Sequence, residues 1–326
     1  MQSLPEFTLQ RPTSPAEAAA LLATEPLSRL VAGGTDLLPN MRRGLECPPV
    51  LIDLSALPGF ATVEAAADGS LVLGAGLTLA ALARDAVIGK RLPALVEAAR
   101  AAAGPGHRSA ATLGGNLCQD TRCMFYNQSE WWRATNQYCL KRGGTTCHVA
   151  PQGARCHAAF SGDLAPVLLA LHAEIELLST RGTRRQPLDA LYRDDGAAHL
   201  TLAHDELLVS VRIPATPPGL RCAYRKARVR AAMDFPLAGV AVALALRDGV
   251  LTALTIGLTG TNSNPLRLAG TEAFIGQPVD EKMQSAVGKL VQKQVSPMRS
   301  TVTPSNYRRQ VATVLTQRLL RELAAG

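Results

Sequence analysis

No uninterrupted apolar run in this 326-residue chain exceeds the ten residues of Leu237–Leu246, about half of what a membrane span requires. The opening MQSLPEFTLQRP lacks the basic-then-apolar pattern of a secretory leader, so a cytoplasmic protein with no membrane partner is expected. There is no GxSxG elbow, no HExxH helix and no GxxxxGK(S/T) phosphate loop, which removes serine-hydrolase, zincin and P-loop ATPase chemistry. Charged residues are sparse at 18% against 47% apolar, which excludes wholesale disorder. The excess of 34 Lys and Arg over 26 Asp and Glu is modest and scattered, so nucleic acid is not an expected partner.

What is present fills two domains or three. The N-terminal stretch reads as small alternating units. Phe7–Leu9 is a strand candidate, Ser14, Pro15 and Glu17 form a capping box opening a helix to about Ala23, and Leu30–Ala32 and Val50–Leu54 are further strands. Thr35 or Asp36 is placed to cap a short helix. Pro58-Gly59 ends a first lobe over residues 1–57, and a second lobe over 58–216 runs to the break Pro217-Pro218-Gly219. Within it, Leu71–Leu73, Ala173–Leu178 and Leu207–Ile213 read as strands, and Leu92–Ala103 and Leu164–Leu171 as helices, with a further helix capped by Thr78. In the last part, residues 217–326, Phe235–Leu246 is apolar on nearly every residue and fits a buried helix or a strand pair. Val250–Leu258 pairs with its neighbour through Arg247-Asp248-Gly249, and helices over 280–295 and Asn306–Leu323 close the chain.

Residues 118–160 stand apart. They lack sustained periodicity, are far longer than an ordinary loop, and carry six of the thirteen aromatics and five of the seven cysteines. Cys118, Cys123, Cys139, Cys147 and Cys156 crowd together, whereas Cys47 and Cys222 stand alone. No pair has the CxxC spacing of a zinc knuckle, thioredoxin or haem site, and the close triplets of ferredoxins are absent. Four well-spaced thiolates fit a [4Fe–4S] cube; structural zinc, using His148 or His157 as needed, and ordinary buried thiols remain open. A cube takes four ligands, so one cysteine has another job. Cys118, directly after Gly114-Gly115-Asn116-Leu117, reads as a packed thiol facing that turn.

Two glycine turns, Ala32–Asp36 and Thr112–Asn116, let the backbone present N–H groups to an anion such as a dinucleotide diphosphate. Neither contains Lys or Arg, so amide dipoles must do that work. Gly74-Ala75-Gly76 mimics a Rossmann fingerprint but lacks its third glycine and its acidic residue. His107, His172, His199 and His204 follow no catalytic or ligand spacing and read as surface or core polar groups, and Asp194-Asp195 and Asp205-Glu206 as solvent-facing turns. The basic stretch Arg221, Arg225, Lys226, Arg228 and Arg230 suits either steering of an acidic partner or a solvated face. No catalytic acid, base or nucleophile is assigned.

AGGTDLLP (32–39), ATLGGN (111–116), SGDLAP (161–166) and RKARVRAAMDFPLAGVAVAL (225–244) resemble the FAD-binding medium subunits of the xanthine dehydrogenase and carbon monoxide dehydrogenase family, over nearly the whole chain once 118–160 is allowed as an insertion. The resemblance implies an α+β protein: a two-lobed FAD-binding domain of the vanillyl-alcohol-oxidase type, then a C-terminal α+β domain. It implies a molybdopterin-containing large subunit and a small subunit with two [2Fe–2S] clusters as partners, in a dimer of heterotrimers. By the same resemblance Leu30, Val31, Ala32, Gly33, Gly34, Thr35 and Asp36 form the first pyrophosphate loop, and Thr112, Gly114, Gly115 and Asn116 the second. Asp163 accepts from the ribose or adenine side of FAD, and Leu208 and Lys226 line the isoalloxazine. The segments NLCQDTRCMFYNQSEWW, QYCLKRGGTTCHV and ARCHAAFSGDLAP resemble the 4-hydroxybenzoyl-CoA reductase branch. That resemblance implies a [4Fe–4S] cluster on Cys123, Cys139, Cys147 and Cys156, ferredoxin as electron donor, and electron flow through cluster and FAD toward the [2Fe–2S] and molybdenum centres. Aldehyde oxidoreductases of the same family also carry a cluster loop and are the alternative.

Overall fold

Strands here are short and leucine-, valine- and alanine-rich, and they gather into three separate sheets. A computed structural model describes residues 3–299 and 303–326. The first sheet is parallel: β1 (Thr8–Gln10), β2 (Arg29–Val31) and β3 (Val50–Asp53) lie in the order β1-β3-β2. Parallel neighbours need a crossover: the helix Leu37–Arg42 supplies it between β2 and β3, and the helix Pro15–Thr24 carries the chain from β1 to β2. Ser14 caps it as expected, its Oγ accepting from the Glu17 N–H at 3.1 Å, but the Glu17 carboxylate turns to the N–H and hydroxyl of Thr13, not to Ser14. The reciprocal half of the box is displaced by one residue.

The second sheet holds β4 (Val63–Ala65), β5 (Leu71–Gly74), β6 (Glu174–Ser179), β7 (Gly182–Pro187) and β8 (Leu207–Ile213), all antiparallel in the order β4-β5-β8-β6-β7. About a hundred residues separate β5 from β6 in the chain. They hold the helices Pro93–Ala101 and Leu113–Leu117, the cysteine-rich insertion and the helix Leu164–Ala170, every residue of which is buried. Gly74 and Gly76 sit where a Cβ would meet the Phe60 carbonyl, so this pair allows a close passage of chains and has no phosphate role.

The third sheet consists of β9 (Arg221–Ala227), β10 (Ala238–Arg247), β11 (Val250–Thr259) and β12 (Leu266–Arg267), antiparallel in the order β12-β11-β10-β9. The apolar run is therefore neither a helix nor a strand pair but one strand, β10, covered on both faces. Ala238, Val240, Val242 and Leu244 pack with Met283, Val287 and Leu319 of the two C-terminal helices, Glu281–Gln294 and Ser305–Ala325. Ala241 and Ala243 point the other way, into the core shared with the first two sheets. Gly257 of β11 lies so close to the Pro166 carbonyl that a Cβ would overlap it, which seats the helix Leu164–Ala170 directly on this sheet. Asp248 and Gly249, both at positive φ, make the two-residue turn between β10 and β11. Among the described residues no helix is long and apolar enough to cross a membrane.

Candidate functional site

The three sheets leave a cavity of about 400 Å³ between them. All fourteen residues named for the flavin, from Leu30 to Lys226, line it. The first glycine turn abuts the backbone leading into the second, since a Cβ on Gly33 would overlap the Ala110 carbonyl oxygen, while one on Gly114 would sit 2.9 Å from the Ala75 Cβ just after β5. The turns differ in what they offer. In the second, the N–H groups of Leu113, Gly114 and Asn116 are held by Leu77, Ala75 and Thr112 carbonyls, and that of Gly115 by the Thr112 hydroxyl oxygen at 3.1 Å. What it keeps for a ligand is the Thr112 O–H proton. In the first, no acceptor among the described residues takes the N–H of Gly33, Gly34, Thr35 or Asp36. The amide dipoles expected of both turns are thus available from one.

Asp36, expected as a possible helix cap, makes no side-chain cap. Its carboxylate accepts from the Asp120 N–H at 2.8 Å and from the Arg122 guanidinium, tying the first turn to the start of the insertion. Arg122 also donates to Asn40 Oδ1 at 2.6 Å, and its Nε is buried without a partner. A cation therefore does line the cavity, although neither turn contains one. It comes from the insertion, as do Cys118 and Gln119. Burial pushes the Cys118 thiol up to about 12, so it stays a packed, protonated thiol facing the glycine turn.

Asp163 and Lys226, given different parts of the flavin by resemblance, both line the cavity and meet each other there. The Lys226 ammonium donates to Asp163 at 3.0 Å and to the Ala101 carbonyl at 3.2 Å, and the Tyr224 hydroxyl donates to the other Asp163 oxygen at 2.7 Å. Burial pushes the Asp163 carboxyl up, against the pull of Lys226 and Tyr224. Each carboxylate oxygen has one protein donor and keeps acceptor capacity for a ligand. His107, Phe60, Met233, Asp234 and Phe235 also line the cavity and were missed. They lie in three separate stretches; Met233, Asp234 and Phe235 stand inside the family-like segment 225–244 but carry no local mark of a ligand role.

In the basic stretch Arg221, Arg225 and Arg230 are exposed, yet each is engaged. Arg225 pairs with Glu97 and Glu322, Arg230 with Asp234, Arg221 donates to the Leu323 carbonyl and Arg228 to that of Ala101. Glu206, expected in solvent, is buried against Arg184. His199 is buried too, with Nε2 at 2.9 Å from the Gln119 carbonyl.

In the insertion all four candidate ligands are free thiols; Cys123, Cys147 and Cys156 are buried and Cys139 is partly so. Burial pushes Cys123 up, and the neighbouring Cys139 and Cys147 push it further; Cys156, up at about 11, feels Cys147 and Cys123 in the same way. The four thiols thus act on one another electrostatically. Yet no three His, Cys, Asp or Glu side chains among the described residues close on a point fit for a single ion. The Ala158 N–H donates to Cys156 Sγ at 3.4 Å, and Tyr126, Phe125 and Val149 pack around the thiols. His148, considered for zinc, has its Nε2 at 2.7 Å from the Tyr138 carbonyl. Order comes from two arginines: the buried Arg133 spans the carbonyls of Tyr126 and Arg43, and the half-buried Arg142 reaches that of Leu45.

Residues 5–216 match the family described as the FAD binding domain in molybdopterin dehydrogenase, and residues 222–323 match the CO dehydrogenase flavoprotein C-terminal domain. The chain is 27% identical over 313 residues to the xanthine dehydrogenase FAD-binding subunit of Escherichia coli O157:H7, covering 95% of this chain and 94% of that one. It is 33% identical over 286 residues to the aldehyde oxidoreductase FAD-binding subunit of Escherichia coli K12, covering 83% and 86%. The reconstituted CO dehydrogenase from Oligotropha carboxidovorans superposes with a TM-score of 0.82 at 25% identity, covering 99% of each chain.

Proposed function

Because this chain belongs to the family of FAD-binding subunits of molybdopterin dehydrogenases, we propose that it is the flavin- and cluster-bearing electron relay of a 4-hydroxybenzoyl-CoA reductase. At the coarser level it is an FAD-containing electron-transfer subunit of a molybdenum oxidoreductase complex, with a large molybdenum subunit and a small iron–sulfur subunit. The residues present fit both groups. For the flavin, the free N–H groups of Gly33, Gly34, Thr35 and Asp36, the Thr112 hydroxyl and the Arg122 guanidinium answer a diphosphate. For the cluster, Cys123, Cys139, Cys147 and Cys156 supply four free thiols, three of them buried, that act on one another electrostatically. Bound there, FAD takes up one electron or two and the cluster one at a time, which matches a one-electron donor to two-electron chemistry.

The chain's own part is to bind, exclude water and hold charge. Phe60, Leu208 and Phe235 give the cavity apolar walls, and the Asp163–Lys226 pair fixes a buried ammonium on its lining. The observation that carries the relay is that Asp120, Gln119 and Arg122, within four residues of Cys123, wall or brace the flavin cavity, so both cofactors share one stretch of chain. Substrate would not need to reach this subunit: the partner's molybdenum would supply the site at which 4-hydroxybenzoyl-CoA gives up its phenolic hydroxyl as water, a reduction that takes two electrons and two protons. The wording of the cysteine loop supports the acyl-CoA substrate. The second reading, a molybdenum-dependent aldehyde oxidoreductase with flow outward from substrate, is favoured by the 33% identical relative.

Purification of the intact complex without oxygen decides between them. The proposal expects about four irons on this subunit, one FAD, and reduction of 4-hydroxybenzoyl-CoA by a low-potential ferredoxin-type donor. Aldehyde oxidation without that activity favours the second reading. Cys139→Ser is expected to remove this subunit's iron while leaving most of its flavin absorbance; unchanged iron would sink the ligand set.

A further inference from the structure

Beside the thiols lies an ion pair that neither cofactor site accounts for. Lys141, two residues after Cys139, has a side chain only 7% exposed. Its ammonium donates to Asp120 Oδ1 at 2.5 Å, to the Gly196 carbonyl at 2.9 Å and to the hydroxyl and carbonyl of Thr121, and it sits 4.5 Å from the centre of the Tyr126 ring. Asp120 keeps its second oxygen buried without a partner. A buried pair of this kind gains little stability over an apolar packing of the same volume, so its retention here has another physical consequence to explain it.

That consequence is fixed charge beside the thiols. The Tyr126 ring under the Lys141 ammonium packs in one apolar cluster with Cys123 and Cys156. Asp120, bonded to that ammonium, sets a negative charge next to the positive one in the same buried place.

We propose that the Lys141–Asp120 pair sets the reduction potential of the iron–sulfur cluster, Lys141 favouring the reduced state and Asp120 tempering it. The inference rests on the reading that the four cysteines hold a cluster. One-electron reduction by a ferredoxin-type donor adds one negative charge to the cluster, and a fixed positive charge nearby stabilises that added charge. Lys141 and Asp120 are positioning residues in this account, since neither binds iron.

The test is a potentiometric titration of the anaerobic complex, followed by the low-temperature electron paramagnetic resonance of the reduced cluster. Lys141→Met is expected to titrate at a lower potential than the parent, Asp120→Asn at a higher one and Lys141→Arg close to the parent. Opposite signs are the signature. A pair that merely held the loop in shape would move both variants alike or neither, and either result overturns the proposal. Should Lys141→Met lose its iron, the other two decide: Asp120→Asn raised with Lys141→Arg unmoved supports the proposal, and any other pattern overturns it. A parent complex lacking iron would instead overturn the cluster reading.

Discussion

Gly33 is where one methyl group matters most. Its missing Cβ is the space that lets the first turn rest against Ala110, and so brings four free N–H groups opposite Thr112. Gly33→Ala must push two backbones apart, costing about 1–3 kcal/mol as overpacking does; the expected result is purified protein with most of its 450 nm flavin absorbance lost. Cys118 is the contrasting case, a thiol in the cavity wall whose protonated state has no ligand role. Cys118→Ala is expected to keep about four irons, by metal analysis, and loss of iron would show that the four ligands are chosen wrongly. Both residues were legible in the sequence because a glycine pair and a fifth cysteine are local signals. Arg122 was not. A lone arginine next to a cysteine carries no mark that its guanidinium will reach Asp36, 86 positions earlier in the chain.

At the scale of elements, caps and turns were read well where the chemistry is local: Ser14 and Thr78 cap their helices, and Asp248-Gly249 turns the hairpin. The apolar stretch 235–246 was not, because residues buried on both faces lose the alternation that marks a strand. The insertion shows a third situation. It has almost no regular structure, yet its first residues are pinned by His199, whose ring contacts the Gln119 carbonyl. Burial, helped by the Lys141 charge, pulls His199 down to about 4. Its folded value lies below its unfolded value, so the unfolded chain binds the extra proton between about pH 6.5 and 4. Stability is therefore full above pH 6.5 and falls as pH drops through that window, by about 3 kcal/mol for this group. Urea unfolding followed against pH should show a shallower loss in His199→Gln than in the parent; equal slopes would mean that His199 is not held neutral.

At the scale of the molecule, the break at Pro217-Pro218-Gly219 separates two family matches, 5–216 and 222–323, and the second has a core of its own that a few of its residues bridge to the first. Tyr224, Ala241 and Ala243 belong to the same apolar cluster as Leu73 and Leu168. The cavity draws on all three sheets, so FAD binding should raise the melting temperature of the whole chain as one transition, by mass action. Neither turn contains Cys or His, and Cys118 is held protonated, so the flavin is expected to be noncovalent. Acid precipitation should release it fully to the supernatant, and yellow pellets would contradict the assignment.

By itself, the order of residues determined the glycine turns, the capped helices, most of the strands, the family, and the crowding of cysteines in an unpatterned loop. Each of these is written in neighbours a few positions apart, where spacing and side-chain chemistry act directly. Only the tertiary structure decided that one turn keeps free amides while the other spends its own, that Asp163 faces Lys226, that Arg122 enters the cavity, and that Lys141 lies buried beside the thiols. Those facts depend on which distant segments share a boundary, and a polar group has no partner to declare until folding brings one within hydrogen-bonding reach.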